Sequence, residues 1–461
     1  MTAPTRAPQQ GRRWLATAAV ALLLSASVLV ALVVRSPDAQ AASNTAVAPA
    51  GGVIPLVGRG YGHGRGLSQY GAYGAATSGA SAAQILDFYY AGTVSEKTDR
   101  GSLKVKLTNR NADLVVLPDT GLRVKDLAVG GAGESELPVG PTAWRIVRTT
   151  GGYGVHYLAG GSWQAYSFGG KEVFPGPLQF FGPPIVRMVR PDDVRGFRGA
   201  LIGVADGGGL ATINELPFQD YLRGVVPREM PASWPAAALQ AQTIAARTYA
   251  LYKIERKPAG QSFDICDTTA CQVYGGARTW VGDTLTQSEV PSTDAAIAAT
   301  KDVVRRSGGR TINSEFSSSN GGWTADGGTS YTLARKDPWD GIVASTANSW
   351  SKNIRVSDLQ SAFPAVGSLR SLEITDRDDR GEWGGRVTKV LLRGVDSRGR
   401  ATAVTVTGNQ IRSAGGLRSN WFAFDVPLSA IDARYASDAS LRESLGAAVG
   451  GERYGKGYAF Q

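Results

Sequence analysis

Apolar and polar residues follow two different periods along this chain. Between about residues 100 and 215 they alternate, as in 103–107 (LKVKL) and 144–148 (WRIVR). Turns rich in Gly, Pro and Asp separate these runs, and such alternation predicts antiparallel strands. The same pattern returns over residues 368–426, for example in 386–392 (RVTKVLL). Two stretches of the chain are therefore predicted to form sheets.

A helical period appears elsewhere. Residues 81–90 have apolar positions three or four apart, with Ser81 as N-cap. The longest helical pattern follows Trp234-Pro235 and continues to about Arg256, where proline suits the first turn and many alanines allow close packing. A shorter helix is predicted over 294–300. These elements predict an α+β fold of mixed antiparallel sheets, with one long alanine-rich helix and a β-rich accessory module.

The N-terminal stretch is typical of an export leader. Arg6, Arg12 and Arg13 precede the apolar run 15–34, and the small-residue stretch 39–42 (AQAA) follows. One interpretation is a signal peptide cleaved after about Ala41. The other is an uncleaved anchor, because twenty residues can span a bilayer. Both place the folded part outside the cytoplasm, secreted or anchored by residues 15–34. Such an anchor is the only membrane contact that we expect.

Composition and charge limit the function classes. With 43% apolar residues in 461, the chain is expected to bury a core, which excludes a wholly disordered protein. The net charge is +10, and the four Arg and one Asp of residues 1–41 leave +7 for the rest. No basic block or interleaved aromatic stripe accompanies this mild excess. It favours an anionic surface as partner and gives no support for nucleic acid.

The two cysteines, Cys266 and Cys271, lie five positions apart. Outside the cytoplasm a local disulfide is the favoured state. A zinc site is the alternative, but two Cys with the distant His63 and His156 make a poor ligand set. We therefore expect no metal and no cofactor.

Three segments hold side chains that core packing does not obviously require. Residues 58–71 (GRGYGHGRGLSQYG) form either a tight glycine loop with a packed His63 or the wall of a site. In 220–231 (DYLRGVVPREMP) two prolines bracket Glu229, which is either a capping residue or a catalytic carboxyl. Residues 313–324 (NSEFSSSNGGWT) are either a Ser/Gly turn or a sugar-binding surface.

Two opposing effects act on the ionisation of Glu229. Arg228 and a nearby helix N-terminus favour the carboxylate, whereas burial beside Met230 and Trp234 favours the neutral acid. A serine hydrolase has little support, because the chain has two histidines and no Gly-x-Ser-x-Gly motif.

The order of these segments resembles the family of stage II sporulation protein D and the amidase enhancers. The matching segments are 214–231 (NELPFQDYLRGVVPREMP), 233–235 (SWP), 241–250 (AQTIAARTYA), 267–276 (DTTACQVYGG), 316–322 (FSSSNGG) and 415–419 (GGLRS). The similarity covers roughly 195–425 and 58–92. In this family the Gly-x-Gly-His-Gly segment usually closes the domain, whereas here it lies near the N-terminus. A permuted segment can occupy the same place if the ends of the domain are adjacent.

The resemblance implies a division of the chain. Its predicted parts are a leader or anchor (1–41), a linker (42–52), a permuted Gly-His-Gly segment of the catalytic domain (53–94), a β-rich accessory module (95–194), the catalytic domain (195–430) and a tail (431–461).

The resemblance also implies an activity. Characterised sporulation members are lytic transglycosylases that use the glutamate matching Glu229. We therefore expect a wall-associated protein that cleaves peptidoglycan glycan strands and leaves 1,6-anhydromuramic ends. The alternative is a non-catalytic enhancer that binds peptidoglycan or a wall amidase. The residues predicted to line the substrate site, without individual roles, are Tyr221, Arg247, Gln272, Tyr274, Ser318, Asn320, His63 and Gln69.

Overall fold

The computed structural model describes residues 44–49 and 51–425, together with the backbone of two short strands, Glu452–Tyr454 and Gly457–Ala459. The predicted leader lies outside the described residues, as does most of the predicted tail. Within the predicted linker, Thr45–Val47 forms a strand whose central Ala46 is buried. None of the helices in the described part has the length and apolar character needed to cross a bilayer.

The described part of the chain contains both helices and strands. The helices are α1 (Gln69–Thr77), α2 (Ala82–Tyr89), α3 (Phe218–Glu229), α4 (Ala236–Glu255), α5 (Pro291–Ala299), α6 (Val356–Ala362) and α7 (Gly408–Gly415), with short 3₁₀ turns at Pro364–Val366 and Glu382–Gly384. The first strands are β1 (Thr45–Val47), β2 (Val53–Arg59), β3 (Leu67–Ser68), β4 (Val94–Lys97), β5 (Ser102–Leu107), β6 (Leu114–Val116), β7 (Arg123–Asp126), β8 (Glu134–Glu136), β9 (Ala143–Thr149), β10 (Gly152–Ala159), β11 (Ser162–Tyr166), β12 (Val173–Phe174), β13 (Leu178–Phe181), β14 (Val186–Val189) and β15 (Val194–Phe197). The others are β16 (Ala200–Asp206), β17 (Gly209–Pro217), β18 (Ile265–Cys266), β19 (Arg278–Val281), β20 (Thr284–Gln287), β21 (Val303–Ser307), β22 (Arg310–Thr311), β23 (Phe316–Ser317), β24 (Ser349–Arg355), β25 (Ser368–Arg377), β26 (Val387–Val395), β27 (Ala401–Thr407), β28 (Phe422–Phe424), β29 (Glu452–Tyr454) and β30 (Gly457–Ala459). The predicted α+β class is confirmed.

The helices form for local reasons that the sequence shows. Helix α4 begins directly after Pro235, ends one residue before Arg256 and is buried along most of its length, as its alanines predict. Ser81 and Gln84 close a reciprocal capping box at the start of α2. Helix α5 begins at Pro291, three residues earlier than predicted, because proline fits the first helical turn.

The strands form several sheets, and their pairing is mostly antiparallel. One sheet has the order β18-β5-β17-β16-β13-β7-β8, and the largest has the order β11-β10-β9-β6-β14-β15-β19-β20 with β12 paired to β10. A smaller sheet has the order β1-β25-β26-β27, and two three-stranded sheets have the orders β24-β2-β28 and β22-β21-β4. Among the described pairs, β5 with β18 and β3 with β23 are parallel.

One hydrophobic core joins the predicted accessory module to the helices. It includes Leu103 and Trp144 from the strand-rich segment as well as Tyr221 of α3 and Ala246 of α4. Strand β5 also pairs along its length with β17, which leads directly into α3. The strands at 100–217 therefore support the element that carries Glu229. The domain division stays a prediction, because a shared core does not decide which part functions alone.

The glycine-rich segment (residues 58–71) lies against the Ser/Asn-rich segment (residues 313–324), although about 250 residues separate them. Strand β3 pairs in parallel with β23, and Tyr61 makes an isolated bridge to Ser319. Gly66 has φ +63°, and a Cβ there would lie 2.1 Å from the carbonyl oxygen of Glu315. Only glycine allows this approach. The N-terminal segment is thereby built into the same body as the rest of the site.

Candidate functional site

Glu229 is the last residue of α3 and is partly exposed. Gln69 Nε2 donates to its Oε2 at 3.3 Å, and the backbone N–H of Val273 also donates to its carboxyl group. Sequence reasoning placed Glu229 just before α4, but α4 begins seven residues later. The helix end beside Glu229 is therefore the C-terminus of α3, whose dipole disfavours a negative charge.

The electrostatic surroundings of Glu229 contain no compensating cation in the part of the chain that the structure describes. Arg228 extends away from it past Gly275, and its Nη2 donates to Ser288 Oγ at 3.1 Å. Burial raises the pKa of Glu229, and the hydrogen bonds from Gln69 and Val273 offset this only in part. Of the opposing effects named from the sequence, burial is the larger, and the pKa of Glu229 lies above its ordinary value.

Gln69 begins α1, and its side chain joins Glu229 to α4. Its Nε2 lies 3.3 Å from Glu229 Oε2 and 3.5 Å from Gln242 Oε1. Gln242 is fully buried, and its Nε2 has no hydrogen-bond partner. Sequence reasoning missed Gln242. The sequence could have indicated it, because Gln242 is a polar amide among the alanines of a helix face that is predicted to be buried.

A buried carboxylate fixes the start of α1 and therefore the position of Gln69. Ser68 Oγ caps α1 by accepting from the Gly71 N–H, and it donates to Asp340 Oδ2 at 2.8 Å. Asp340 also accepts from groups of the Ser/Asn-rich segment and from Asn348. It thereby ties together α1 and the segment that follows β23.

Asp337 completes this network. It accepts from Tyr89 OH and from Asn320 Nδ2, each at 2.6 Å. Burial raises the pKa of Asp337, although its hydrogen bonds oppose this. Both aspartates were missed from the sequence, because 337–340 (DPWD) has the composition of an ordinary turn.

The structure buries Tyr221, Gln272 and Tyr274 rather than leaving them on an open surface. Tyr221 OH donates to Gln272 Oε1 at 2.9 Å, and Tyr274 OH donates to Asn214 Oδ1 at 2.8 Å. Burial and then the charge of Glu229 raise the pKa of Tyr221, which places this ring near the carboxyl. The structure therefore gives these residues a supporting position.

Arg247 is also an internal residue. Its guanidinium donates to Val303 O at 3.0 Å and to Gln219 Oε1 at 3.1 Å, and burial lowers its pKa to about 10. None of its hydrogen bonds reaches Glu229. It fastens α4 to α3 and β21.

His63, Ser318 and Asn320 meet at the glycine-rich segment. His63 Nδ1 accepts from the Arg65 N–H at 3.0 Å, and burial together with the nearby arginines lowers its pKa to about 4. Ser318 is partly exposed, and its carbonyl accepts from the Tyr70 N–H at 2.9 Å. Asn320 is buried, and it donates hydrogen bonds to Asp337 and Asp340. Of the residues predicted from this segment and from 58–71, Gln69 alone has a hydrogen bond to Glu229 among the described contacts.

Cys266 and Cys271 are joined in a disulfide, with their Cα atoms 5.5 Å apart. Gln272 and Val273 follow it directly, and they reach Tyr221 and Glu229 respectively. The small covalent loop therefore shapes the backbone that donates to the carboxyl. The described residues contain no group of three or more His, Cys, Asp or Glu side chains arranged for a metal ion.

Comparison with known proteins identifies residues 206–306 as a match to the family model described as Stage II sporulation protein. The matched segment contains α3 with Glu229, most of the supporting residues and the disulfide. Gln69, Asp337 and Asp340 lie outside it. The family resemblance predicted from the sequence is confirmed by this match and by the relatives below.

Curated relatives include the amidase enhancer of Bacillus subtilis, which is 37% identical over 150 residues. The stage II sporulation protein D of the same organism is 28% identical over 144 residues, and an uncharacterized protein of Brachyspira hyodysenteriae is 42% identical over 80 residues. These matches cover 31%, 28% and 17% of this chain. They span 19%, 41% and 22% of the respective relatives, which is less than half of each.

Proposed function

We propose that this chain is a lytic transglycosylase that acts outside the cytoplasm on the glycan strands of cell-wall peptidoglycan. The observation that carries the proposal is the Glu229 carboxyl. It is largely enclosed, it has no cation partner among the described residues, and burial raises its pKa. A carboxyl in this state is suited to donate a proton to a glycosidic oxygen.

One carboxyl is sufficient for this chemistry. Hydrolysis with a water nucleophile commonly uses two carboxylates that flank the scissile bond. In the proposed reaction the 6-hydroxyl of the muramic residue attacks its own anomeric carbon, and the bond to the leaving oxygen breaks. Because that hydroxyl is tethered, effective molarities of about 10⁵–10⁸ M reduce the need for a second activating group.

The surroundings of Glu229 suit both of its protonation states. As a neutral acid it protonates the leaving oxygen, and as a carboxylate it then accepts the proton of the attacking hydroxyl. Burial favours the first state, while the N–H groups of Gln69 and Val273 stabilise the second. Burial therefore shifts the balance towards the neutral acid, and the two hydrogen bonds limit that shift.

The proposed location rests on two features. The basic and apolar N-terminal pattern is typical of an export leader, whether cleaved after about Ala41 or retained as an anchor. The disulfide between Cys266 and Cys271 is typical of an oxidising compartment.

A second function is favoured by one specific finding. The relative that is 37% identical over 150 residues is named an amidase enhancer. On this reading the chain binds peptidoglycan or a wall amidase and stimulates the amidase without cleaving glycan. Fold similarity cannot separate the two functions, because one fold hosts binding and catalysis alike.

Product analysis separates them. The full chain is incubated with glycan strands, with and without stem peptides, and the products are identified by mass. Anhydro products that disappear in Glu229→Gln support the transglycosylase. A suitable control is Glu215→Gln on β17, since Glu215 is more exposed and contacts only Lys104 at 3.7 Å among described ion pairs. Intact glycan together with stimulation of an added amidase would support the enhancer instead.

A further inference from the structure

Three aromatic rings form a continuous group beside Glu229. The Trp234 ring stacks on Tyr73, with ring centroids 4.7 Å apart and an interplanar angle of 29°. It also meets the edge of Tyr70 at 5.0 Å and 62°. All three residues are partly exposed. A purely internal aromatic cluster would be closed to solvent, whereas this group keeps surface free.

The group is fixed to the Glu229 side of the molecule by two elements. Gln69, which donates to Glu229, is the residue before Tyr70, and Tyr73 lies one turn further along α1. Trp234 lies five residues after Glu229, in the short connection between α3 and α4. Since one helical turn rises about 5.4 Å, the backbone positions of Tyr70 and Tyr73 lie within about one turn of Gln69, whose amide touches the carboxyl.

The rings are held firmly before any ligand arrives. The Tyr70 N–H donates to the carbonyl of Ser318 at 2.9 Å, and Asp340 holds the cap of α1 through Ser68. Trp234 also packs against the core cluster formed by α1, α2 and α4. A preorganised aromatic surface loses little conformational freedom when a ligand stacks on it.

The shape and chemistry of this surface select a ligand class. A β-linked N-acetylhexosamine in its chair form carries its hydroxyl, acetamido and glycosidic groups equatorially. Its two faces therefore present axial C–H groups, which are apolar and pack well on aromatic rings. An α-1,4-linked glucan curves at each linkage, so its successive faces match a straight aromatic surface less well than those of a β-1,4-linked strand.

We propose that Tyr70, Tyr73 and Trp234 form a saccharide subsite that stacks on a β-linked N-acetylhexosamine of the strand held at Glu229. Its place on the glycan rests on the proposed function, but binding at it does not require cleavage. The subsite positions the sugar by its apolar face and leaves the polar edge for hydrogen bonding.

Calorimetric titration of the full chain with the β-1,4-linked N-acetylglucosamine tetrasaccharide tests the subsite. All variants carry Glu229→Gln, so that no chemistry contributes. We expect Trp234→Ala and Tyr73→Ala each to weaken binding about three- to tenfold, as lost aromatic packing does. Trp280→Ala, a partly exposed tryptophan in β19, is expected to leave affinity unchanged. Maltotetraose is expected to bind at least tenfold more weakly than the tetrasaccharide.

Two outcomes overturn the subsite: no measurable binding by the Glu229→Gln parent, or equal affinity in the parent and the aromatic variants. If Trp234→Ala loses its folded circular dichroism spectrum, Trp234→Phe and Tyr73→Ala decide, with a smaller loss expected for the phenylalanine. A wild-type chain that binds the tetrasaccharide through these rings, but releases no anhydro product from peptidoglycan glycan strands, overturns the proposed function alone. A chain that cleaves glycan with unaltered binding in the aromatic variants overturns the subsite alone.

Discussion

Two glutamates in this molecule have opposite surroundings, and the contrast shows what makes one of them suited to acid catalysis. Glu229 accepts hydrogen bonds from a side-chain amide and a backbone N–H, and burial raises its pKa. Glu315 is also partly buried, but Arg65 donates to both of its carboxylate oxygens, at 2.6 and 2.8 Å. Burial alone would raise the pKa of Glu315, yet Arg65 and the positive charges near it lower it.

Enclosure by itself therefore does not produce a proton donor. Both carboxyls lose water, and the partner decides which protonation state results. Neutral donors leave Glu229 free to exchange a proton, whereas the guanidinium of Arg65 fixes Glu315 as a structural anion that joins the glycine-rich segment to β23.

Removing each carboxyl in turn should affect glycan cleavage very differently. Glu229→Gln is expected to lower the release of anhydro products by about 10²–10⁴-fold, since it removes general acid–base assistance. Glu315→Gln is expected to retain the cleavage chemistry, measured by the same product analysis under conditions where the variant is folded. Similar losses in both variants would remove the distinction between the two sites.

A cation placed beside Glu229 would give this carboxyl surroundings like those of Glu315. Gln69→Arg is expected to lower the pKa of Glu229 by about 1–3 units and so to reduce activity at neutral pH about 10- to 10³-fold. The optimum of the pH–rate profile should move to lower pH.

The matched control for that change is Gln69→Met, which removes the donor without adding charge. Because the Gln69 hydrogen bond lowers the pKa of Glu229, its loss should move the alkaline limb of the profile to higher pH. A shift of both variants in the same direction would show that packing, rather than charge, controls the carboxyl.

The ion pair between Arg65 and Glu315 should affect the stability of the fold rather than the cleavage reaction. Glu315→Gln is expected to lower the free energy of unfolding by about 1–3 kcal/mol, because Arg65 loses a charged acceptor in a partly buried place. Glu373→Gln removes a more exposed ion pair with Arg393 and is expected to cost less than about 1 kcal/mol. Urea unfolding measures both, and equal losses would contradict the structural role of Glu315.

The stabilities of Glu229→Gln and Glu315→Gln, each relative to wild type, should change with pH in opposite directions, and this effect is expected to be small. A carboxyl whose native pKa is raised stabilises the fold below its unfolded pKa, and this is lost as the pH rises through the native pKa. Glu229→Gln should therefore become relatively more stable than wild type as the pH rises above 4.5. The lowered pKa of Glu315 gives stability above 4.5 that is lost as the pH falls below it. Glu315→Gln should accordingly be least harmful in acid, and parallel profiles would contradict the contrast.

Local features of the fold were predictable from the sequence. The cap at Ser81, the start of α4 after Pro235 and the alternating strands near Leu103 all depend on neighbouring residues. The end of α3 was not predictable in this way. Pro227 lies inside α3, which continues to Glu229 because burial of its apolar face outweighs the one lost hydrogen bond.

The candidate site was predictable in its centre and less so at its edges. Glu229 and Gln69 were both selected from the sequence, although 160 positions separate them and only the tertiary fold brings them together. Tyr221 and Tyr274 were also selected, yet the structure buries them, because a motif records which residues matter and not which way they face. Asp340 gave no signal, since its role depends entirely on distant donors.

The most direct test is the carboxyl titration of Glu229 itself. Carbon-13 NMR of the glutamate carboxyl groups, with Glu229→Gln and Glu315→Gln to assign the two resonances, gives both pKa values in one sample. We expect the Glu229 resonance to titrate above 4.5 and the Glu315 resonance below it. A Glu229 midpoint at or below 4.5 would mean that burial does not favour the neutral acid, and it would contradict a role as general acid.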